Sequence, residues 1–432
     1  MKKIFSVTVI NIWLVFILNQ IYAGTPADTS FARGADIGWL SQMESRGYVF
    51  KNDSGIQKDC MIILKEHGIN SLRFRVWVNP TGGWCNKDDV AAMAERAKNL
   101  GFRIMIDFHY SDSWADPGKQ NKPAAWSNHT FEELLDDIYA HTYNVLDTLK
   151  SLGVTPTWVQ IGNETNDGML WPDGRASLSM SNFAKMVISG YNAIKAVDST
   201  IQAIVQLSNG HNSSMYRWMF DGLKNNGARW DIIGMSVYPK WADLDWQTDI
   251  QYSIANMQGL ITRYGTKVMV CETGYEYNEP YIANNFLAEL INETKSAGGL
   301  GVFYWEPECY NWAGYSMGAW DPSTKQPTIA MDAFLDIKHT DTTATGSIEI
   351  LNENDGVHLF PNPLSNEYLT VKMNNPPSVT RVRIYSVNGQ PLREKYTSQN
   401  IVKFNNLQLS SGIYYVQISN LRQKEMRILI VK

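Results

Sequence analysis

The chain has 432 residues, of which 44% are hydrophobic and 19% charged, a composition that is typical of a folded protein and excludes a largely disordered one. The net charge is −5, but from Gly346 onward there are 10 Lys and Arg against 6 Asp and Glu, so the preceding part carries −9. Because binding to nucleic acid requires a basic surface, this acidic main part argues against a nucleic-acid partner.

The first 23 residues, MKKIFSVTVINIWLVFILNQIYA, combine two lysines, an apolar run and a small residue at Ala23. This pattern predicts a secretory signal peptide cleaved after Ala23. A membrane anchor is the alternative, but the run is short and is interrupted by Asn11. We therefore expect a secreted or cell-surface protein. Such a location permits disulfides among its four cysteines, and Cys60 with Cys85 is the expected pair if one forms.

Residues 24–337 alternate short apolar segments with helical stretches. Eight βα units over this length predict a (β/α)8 TIM barrel. A doubly wound sheet is the alternative, but it requires a Gly-rich turn after the first strand, which the sequence lacks. The eight predicted strands are ARGADIG (from Ala32), SLRFRVWV (Ser71), FRIMIDFH (Phe102), TWVQIGNE (Thr157), TIQAIVQL (Thr200), DIIGMSVY (Asp231), KVMVCE (Lys267) and LGVFYWE (Leu300).

The composition changes sharply after the predicted barrel. Residues 338–347, KHTDTTATGS, lack apolar periodicity and are predicted to be a linker. All 14 tryptophans that follow the signal peptide precede this linker. Residues 348–432 contain alternating runs and a turn at Asn388-Gly389, so we predict a small C-terminal β-sandwich.

Two carboxylates end predicted strands on opposite sides of the barrel mouth. Glu164 ends the fourth strand and Glu272 the seventh, and catalytic groups of TIM barrels lie at these strand ends. Two converging carboxylates can hydrolyse a glycosidic bond, one as acid and one as nucleophile or base. Arg73 would keep one of them ionised, while His109 and Tyr238 could hydrogen-bond to a carboxylate. Each glutamate alone could equally be a salt-bridge partner, but their joint placement favours catalysis.

Several tryptophans fall in predicted loops after strand ends. Indole rings at a barrel mouth suit stacking against the apolar faces of sugar rings, which predicts a carbohydrate ligand. These residues are Trp84, Trp114, Trp126, Trp171, Trp241, Trp312 and Trp320.

Residues 31–337 resemble the arabinogalactan endo-β-1,4-galactanases of glycoside hydrolase family 53. The loop from His109 to Pro117, which contains Asp112 and Trp114, is the most specific feature. The stretches that carry the resemblance are RGADIGWL (from Arg33), GINSLRFRVWVNP (Gly68), IDFHYSDSWADPGKQNKPAAW (Ile106), VQIGNET (Val159), GMLWPDG (Gly168), MSVYP (Met235), VMVCETGY (Val268) and GVFYWEP (Gly301).

The resemblance implies a retaining endo-β-1,4-galactanase that acts on the galactan side chains of pectin, with Glu164 as acid/base and Glu272 as nucleophile. Asn163 would hydrogen-bond to the sugar 2-hydroxyl, and Trp305 would form the floor at the cleavage point. The residues that we expect to bind substrate or support the carboxylates are Arg73, His109, Asp112, Trp114, Asn163, Tyr238, Trp305 and Trp320.

One departure from the family follows the nucleophile, where this chain has Thr273-Gly274-Tyr275; it could alter a sugar subsite. Some relatives bind calcium through long loops after the seventh and eighth strands. The eighth loop here, Pro307–Trp320, is short and low in carboxylates, so we predict no metal and no cofactor. We expect a monomer.

The tail resembles the C-terminal sorting domain of type nine secretion through LFPNPLSN (from Leu359), VRIYSVNGQPL (Val382), LSSGIYYVQIS (Leu409) and a basic end. The resemblance implies delivery by secretion machinery. A carbohydrate-binding module is the alternative, but the tail has no tryptophan for stacking. For the whole protein, the alternatives are another β-1,4-glycanase such as a mannanase, and a catalytically silent galactan-binding surface protein.

Overall fold

The computed structural model describes residues 30–335, 357–364, 368–373, 380–387, 391–397, 399–419 and 424–432. The predicted signal peptide, the predicted linker and the Asn388-Gly389 turn lie outside the described residues. None of the described helices is both long enough and apolar enough to span a bilayer.

Eight parallel strands close into a barrel, as the sequence predicts. Each strand pairs with the next along the chain, and the last returns to the first through Ala32 and Gly301. The strands are β1 (Ala32–Asp36), β2 (Ser71–Val76), β3 (Arg103–Phe108), β4 (Trp158–Ile161), β5 (Gln202–Leu207), β6 (Ile232–Val237), β7 (Lys267–Thr273) and β8 (Gly301–Trp305).

Helices surround the barrel. The longest begins with a capping box in which Thr130 and Glu133 exchange hydrogen bonds. The helices are α1 (Leu40–Ser45), α2 (Cys60–Glu66), α3 (Lys87–Asn99), α4 (Phe131–Ser151), α5 (Met180–Val197), α6 (Ser213–Asn225), α7 (Pro239–Ala242), α8 (Trp246–Tyr264) and α9 (Pro280–Ser296). Short 3-10 helices span Ala124–Trp126 and Ile329–Phe334, and two-residue hairpin strands pair Phe50–Lys51 with Gln57–Lys58 and Gly168–Met169 with Gly174–Arg175.

The barrel interior is filled by side chains rather than open. Gly34 is required there, because a Cβ atom at this position would lie 2.1 Å from the ring of Phe303. The filled interior leaves the strand ends as the place for a binding site. The interior cluster consists of Ala32, Met105, Trp158, Ile204, Ile232, Met269, Cys271 and Phe303.

The C-terminal region forms two antiparallel sheets, one of three strands in the order β9-β10-β13 and one of four in the order β12-β11-β14-β15. Both contribute to one apolar cluster, which includes Val371 and Phe404 from the first sheet and Ile384 and Val416 from the second. The predicted β-sandwich is therefore confirmed. Its strands are β9 (Val357–Phe360), β10 (Leu369–Met373), β11 (Thr380–Ser386), β12 (Pro391–Thr397), β13 (Ile401–Phe404), β14 (Gly412–Ser419) and β15 (Lys424–Val431).

The expected disulfide between Cys60 and Cys85 is absent, and all four cysteines are free and buried. The Cys85 thiol instead donates a hydrogen bond to the Gly38 carbonyl at 3.2 Å. Burial raises the pKa of the Cys85 thiol to about 12, so it stays protonated and unreactive at neutral pH. These cysteines act as small apolar core residues.

Candidate active site

A cavity of about 560 Å³ opens at the C-terminal ends of the barrel strands. Its wall combines aromatic side chains with a few buried polar groups, which is the usual make-up of a small-molecule or glycan site. The predicted site residues that line it are His109, Trp114, Asn163, Glu164, Tyr238, Glu272 and Trp305.

Glu164 is held in a left-handed backbone conformation, with φ of 44°. A non-glycine residue in this region is strained by about 1–3 kcal/mol, and the surrounding structure must compensate. The Glu164 backbone N–H donates to Gln206 Oε1 at 2.7 Å, and its carbonyl accepts from the Asn166 N–H at 2.8 Å. The Glu164 side chain therefore points into the cavity, where its Oε1 accepts from the Ser236 hydroxyl at 2.7 Å.

A bulge in β7 turns Glu272 toward the cavity. Met269 and Cys271 both point into the barrel interior, so strict alternation would direct Glu272 outward. The register with β6 shifts between the pairs Met235–Val270 and Ser236–Glu272, which inserts an extra residue into β7. Bulges re-aim side chains in this way beside active sites.

Glu272 lies in a hydrogen-bonded and charged environment. Arg73 Nη2 lies 2.8 Å from Glu272 Oε1, and the Tyr238 hydroxyl donates to Glu272 Oε2 at 3.3 Å. Arg73 also pairs with Asp36 and Asp107, and all these acidic side chains are buried. Arg73 thus offsets part of the negative charge of these three carboxylates. Within the described part of the chain, no group of three or more His, Cys, Asp or Glu is arranged to hold a metal ion.

The two carboxyl groups are electrically different. Burial raises the pKa of Glu164 to about 7, and the Ser236 hydrogen bond opposes this shift. Burial also raises the pKa of Glu272, while Arg73 lowers it and the charge of Glu164 raises it further. Interacting carboxyl groups of this kind titrate as a pair. Both pKa values are raised, so the pair retains a proton near neutral pH, while the Arg73 guanidinium stabilises the ionised form of Glu272.

A chain of hydrogen bonds connects the two carboxylates. Gln206 Nε2 donates to Ser236 Oγ at 2.7 Å and to Glu272 Oε1 at 3.4 Å, and Gln160 Nε2 donates to Gln206 Oε1 at 2.9 Å. Gln160, Gln206 and Ser236 were not among the site residues predicted from the sequence. Their only signal in the sequence was a polar side chain on an otherwise apolar strand, which is costly unless it is hydrogen-bonded.

We expect Ser236→Ala to shift the alkaline limb of the pH–activity profile to higher pH. The Ser236 hydroxyl lowers the pKa of Glu164, so its removal raises that pKa. A general acid works only below its pKa, so the fall in kcat/KM that a pKa of about 7 predicts for the wild type should move to higher pH in the variant. The profile of kcat/KM against pH checks this; Ser214→Ala, on the exposed start of α6, is the control. An unchanged or downward-shifted limb would contradict the assignment of Glu164 as the acid.

His109 and Asn163 fix the loop after β3. His109 Nδ1 accepts from the Ala115 N–H at 3.0 Å, and Asn163 Nδ2 donates to the Ala115 carbonyl at 2.8 Å. Asp107 Oδ2 lies 2.9 Å from His109 Nε2, and Arg73 donates to Asn163 Oδ1 at 3.0 Å. Both side chains therefore connect the cavity wall to the buried charges beneath it.

An aromatic wall lies on the β8–β1–β3 side of the cavity. Trp39 contacts Trp114 and Trp305 edge to face, with ring centroids 5.6 and 5.1 Å away. The buried guanidinium of Arg75 lies 4.4 Å from the centre of the Trp114 ring and pairs with Glu306. The sequence analysis did not assign Trp39 to the site, although it follows the first strand closely.

Three predicted site residues do not line the cavity: Arg73, which is buried and pairs with Glu272, and Asp112 and Trp320. Asp112 accepts hydrogen bonds from the backbone N–H groups of Asn79 at 2.9 Å and Ala124 at 2.8 Å, so it joins two loops instead of facing a ligand. Trp320 is fully buried and contacts Phe50 edge to face at 6.1 Å. The prediction that Trp320 binds substrate is wrong, because its side chain is fully buried and does not line the cavity.

Comparison with known proteins agrees with this geometry. Residues 32–285 match the family model of glycosyl hydrolase family 53. The chain belongs to this family. It is therefore a glycoside hydrolase, as predicted from the sequence.

Relatives of this family-53 chain are similar over most of their length. The probable arabinogalactan endo-beta-1,4-galactanase A of Aspergillus terreus is 33% identical, over 73% of this chain and 95% of its own. The arabinogalactan endo-beta-1,4-galactanase of Cellvibrio japonicus is 32% identical, over 71% of this chain and 86% of its own. The solved family-53 catalytic domain of Ignisphaera aggregans is 30% identical, with a TM-score of 0.65, over 72% of this chain and 97% of its own.

The C-terminal region has a separate match. Residues 358–432 match a secretion system C-terminal sorting domain, which confirms the resemblance stated for the tail. This domain indicates that the protein is exported, either to the cell surface or into the extracellular medium.

Proposed function

We propose that the protein is a secreted, retaining endo-β-1,4-galactanase that hydrolyses the β-1,4-galactan side chains of pectin. The observation that carries the proposal is the pair of unlike carboxyl groups in one cavity. Burial raises the pKa of both, but Glu164 accepts a hydrogen bond from the Ser236 hydroxyl, while Glu272 pairs with the Arg73 guanidinium at 2.8 Å. The similarity to arabinogalactan endo-beta-1,4-galactanases supports the choice of substrate.

In the proposed mechanism, Glu164 protonates the glycosidic oxygen while Glu272 attacks the anomeric carbon and forms a covalent glycosyl-enzyme. Glu164, now ionised, then takes a proton from the water that hydrolyses this intermediate. Arg73 and the Tyr238 hydroxyl hold the Glu272 carboxylate during both steps.

The wall of the cavity suits a neutral sugar chain. Trp305 and Trp114 offer apolar ring faces or edges, and Asn163 offers a polar group close to Glu164 in sequence and space. Sugar rings present one apolar face to aromatic residues and direct their hydroxyls to polar groups. These aromatic and amide groups can bind a ligand that carries no charge.

We further propose that residues 1–23 are removed as a signal peptide, that residues 24–337 form the catalytic domain and residues 348–432 the sorting domain, joined by a linker at 338–347, and that the protein acts as a monomer without a cofactor. The match to a sorting domain over residues 358–432 supports export.

Proton NMR of the anomeric signals during digestion of debranched β-1,4-galactan by the full-length protein tests the proposal. We expect oligosaccharides whose new reducing ends appear first as the β-anomer, which would demonstrate the substrate, internal cleavage and retention together. First appearance of the α-anomer would overturn the retaining mechanism. Cleavage of mannan or glucan but not galactan would overturn the substrate, and no cleavage of any glycan would favour a silent binding protein.

A further inference from the structure

A second groove lies at the opposite end of the barrel from the catalytic cavity. It has a volume of about 710 Å³ and is formed where β5, β6 and β7 begin, together with the ends of α5, α6 and α8. Because the eight barrel strands are parallel, their starting ends and their carboxyl ends face opposite ways. A ligand in this groove therefore does not compete with a sugar chain in the catalytic cavity.

Basic side chains dominate this groove, which we call the basic groove. Its lining includes Lys195, Lys224, Arg229 and Lys267 but only one acidic residue, Asp231. The chain up to residue 345 has a net charge of −9, so this local excess of positive charge runs against the charge of the rest of the barrel. Such a concentration of one sign of charge attracts ligands of the opposite sign.

The single carboxylate of the groove is fully engaged. Asp231 Oδ2 lies 2.8 Å from Lys195 Nζ and accepts from the Ala203 N–H at 2.8 Å. The Tyr191 hydroxyl donates to Asp231 Oδ1 at 3.4 Å. Asp231 therefore neutralises Lys195 and leaves the other cations of the groove unpaired.

The other three cations are available to a ligand. Lys224, Arg229 and Lys267 are exposed, and none of the ion pairs among the described residues includes them. Asp221 lies one turn before Lys224 on α6, but it pairs with Arg263 at 2.7 Å. The positive charge of the basic groove is thus not cancelled by the carboxylates around it.

A purely structural role accounts for only part of this charge. Lys195 and Lys224 lie in the last turns of α5 and α6, where a cation complements the negative end of a helix. Arg229 and Lys267 lie outside the helices, so the helix ends do not explain them. The cations also come from three neighbouring βα units and are spread along the groove, which suits a polymer with repeated negative charges.

Aromatic rings in the basic groove favour a carbohydrate. Trp230 and Tyr264 line the groove, and both are only partly buried. Trp230 is held in place by Phe220 and Tyr264, with ring centroids 5.1 and 6.0 Å away. Aromatic rings with nearby polar groups suit the apolar faces and the hydroxyls of sugars. A sugar chain that carries carboxylates would match both the rings and the cations.

We propose that the basic groove binds an acidic polysaccharide, namely a polymer of uronic acid such as the polygalacturonate of pectin. The role of this binding rests on the proposed galactanase function. The basic groove retains the enzyme on the acidic backbone, while the cavity at the other end of the barrel cleaves the neutral galactan side chains nearby. Retention raises the local concentration of these side chains, as any second binding contact does.

Titration calorimetry of the full-length protein with polygalacturonate at low ionic strength tests the binding. We expect the wild type to bind, and added salt to weaken the binding because the cations are exposed. The combined variant Lys224→Gln, Arg229→Gln and Lys267→Gln should bind about tenfold more weakly, since each exposed charge contributes only a small part of the affinity.

A matched control removes the same charge elsewhere. Lys98→Gln, Lys185→Gln and Lys295→Gln, combined, change exposed residues of α3, α5 and α9 that do not line the basic groove. This control should bind polygalacturonate like the wild type. A loss that appeared equally in both combined variants would reflect net charge alone and would overturn the proposal.

Activity measurements test the role of the groove. Polygalacturonate should not inhibit hydrolysis of free galactan by the wild type, because the two sites lie at opposite ends of the barrel. For each protein, kcat/KM on galactan that is attached to an acidic pectin backbone is divided by kcat/KM on free galactan. This ratio should fall about tenfold in the groove variant, in parallel with its loss of binding, and should stay at the wild-type value in the control.

Three further results would overturn the proposal. They are wild-type protein that binds vesicles of phosphatidylglycerol but not polygalacturonate, competitive inhibition of galactan hydrolysis by polygalacturonate, and unchanged binding in the groove variant. A failure of the galactanase function is distinguishable from these. It would be seen as wild-type protein that binds polygalacturonate through the basic groove but cleaves neither form of galactan.

Discussion

Replacing Glu272 by Ala is expected to remove hydrolysis of galactan almost completely, because the glycosyl-enzyme can no longer form. Replacing Glu164 by Ala should slow hydrolysis by ~10²–10⁴-fold, the usual contribution of general acid catalysis. The rates of release of reducing ends from galactan check both expectations. Glu289→Ala, at an exposed carboxylate on α9, serves as the control and should keep the wild-type rate.

Azide distinguishes the two roles. With a dinitrophenyl β-1,4-galactobioside, whose leaving group needs no proton, azide should restore activity to each variant but give opposite anomers. In Glu272→Ala, azide takes the place of the nucleophile and the product is the α-azide. In Glu164→Ala, azide attacks the glycosyl-enzyme and the product is the β-azide. If each variant gave the anomer expected for the other, the roles of Glu164 and Glu272 would have to be exchanged. If either variant hydrolysed galactan at the wild-type rate, that residue would have no role in the mechanism.

The fold could be predicted because its signals are local. Apolar runs such as SLRFRVWV can only be buried strands in a chain that alternates them with amphipathic helices. The count of eight and the absence of a Gly-rich first turn then decide between barrel and open sheet. Each of the eight predicted segments overlaps one barrel strand of the structure, and only the seventh strand extends beyond its segment, by one residue.

The orientation of Glu272 could not be predicted from local pattern alone. Period-two alternation from Met269 and Cys271 directs Glu272 away from the cavity, and only the bulge in β7 reverses it. A bulge depends on how a strand pairs with its neighbours, and the residues that form it carry no distinctive mark. Glu272 was predicted because it ends a strand and because the family resemblance includes it. The alternation of side chains along β7 would not have predicted it.

The tryptophans show the same limit. Trp241 and Trp320 both fall in segments that the sequence predicts to be loops after strand ends, and nothing in the adjacent sequence distinguishes them. In the structure Trp241 is 60% exposed, while Trp320 is fully buried against Phe50. Which of these tryptophans lines the cavity depends on how distant segments pack, and single-sequence patterns do not contain that information. Ser236 and Gln206 were missed for the same reason, since their roles depend on contacts between strands.

Replacing Arg73 by Met is expected to destabilise the protein by about 3–5 kcal/mol, the cost of leaving a buried charge without its partner. Arg73 is 1% exposed and pairs with Asp36, Asp107 and Glu272, of which none is more than 6% exposed. Chemical denaturation of the variant and the wild type measures the difference. Arg263→Met is the control, because Arg263 pairs with Asp221 on the exposed surface and should contribute far less.

The loss should also depend on pH with a definite sign. Arg73 lowers the pKa of Glu272, so the variant has a folded-state pKa that is raised further above the unfolded value. A carboxyl group of this kind favours the folded state while it is protonated, and its contribution is lost as the pH rises. The deficit relative to wild type should therefore be larger at pH 9 than at pH 5. A deficit that is equal at both values would mean that Arg73 stabilises the barrel by packing and not by its charge, and Arg73 could then no longer be the group that keeps Glu272 ionised for attack.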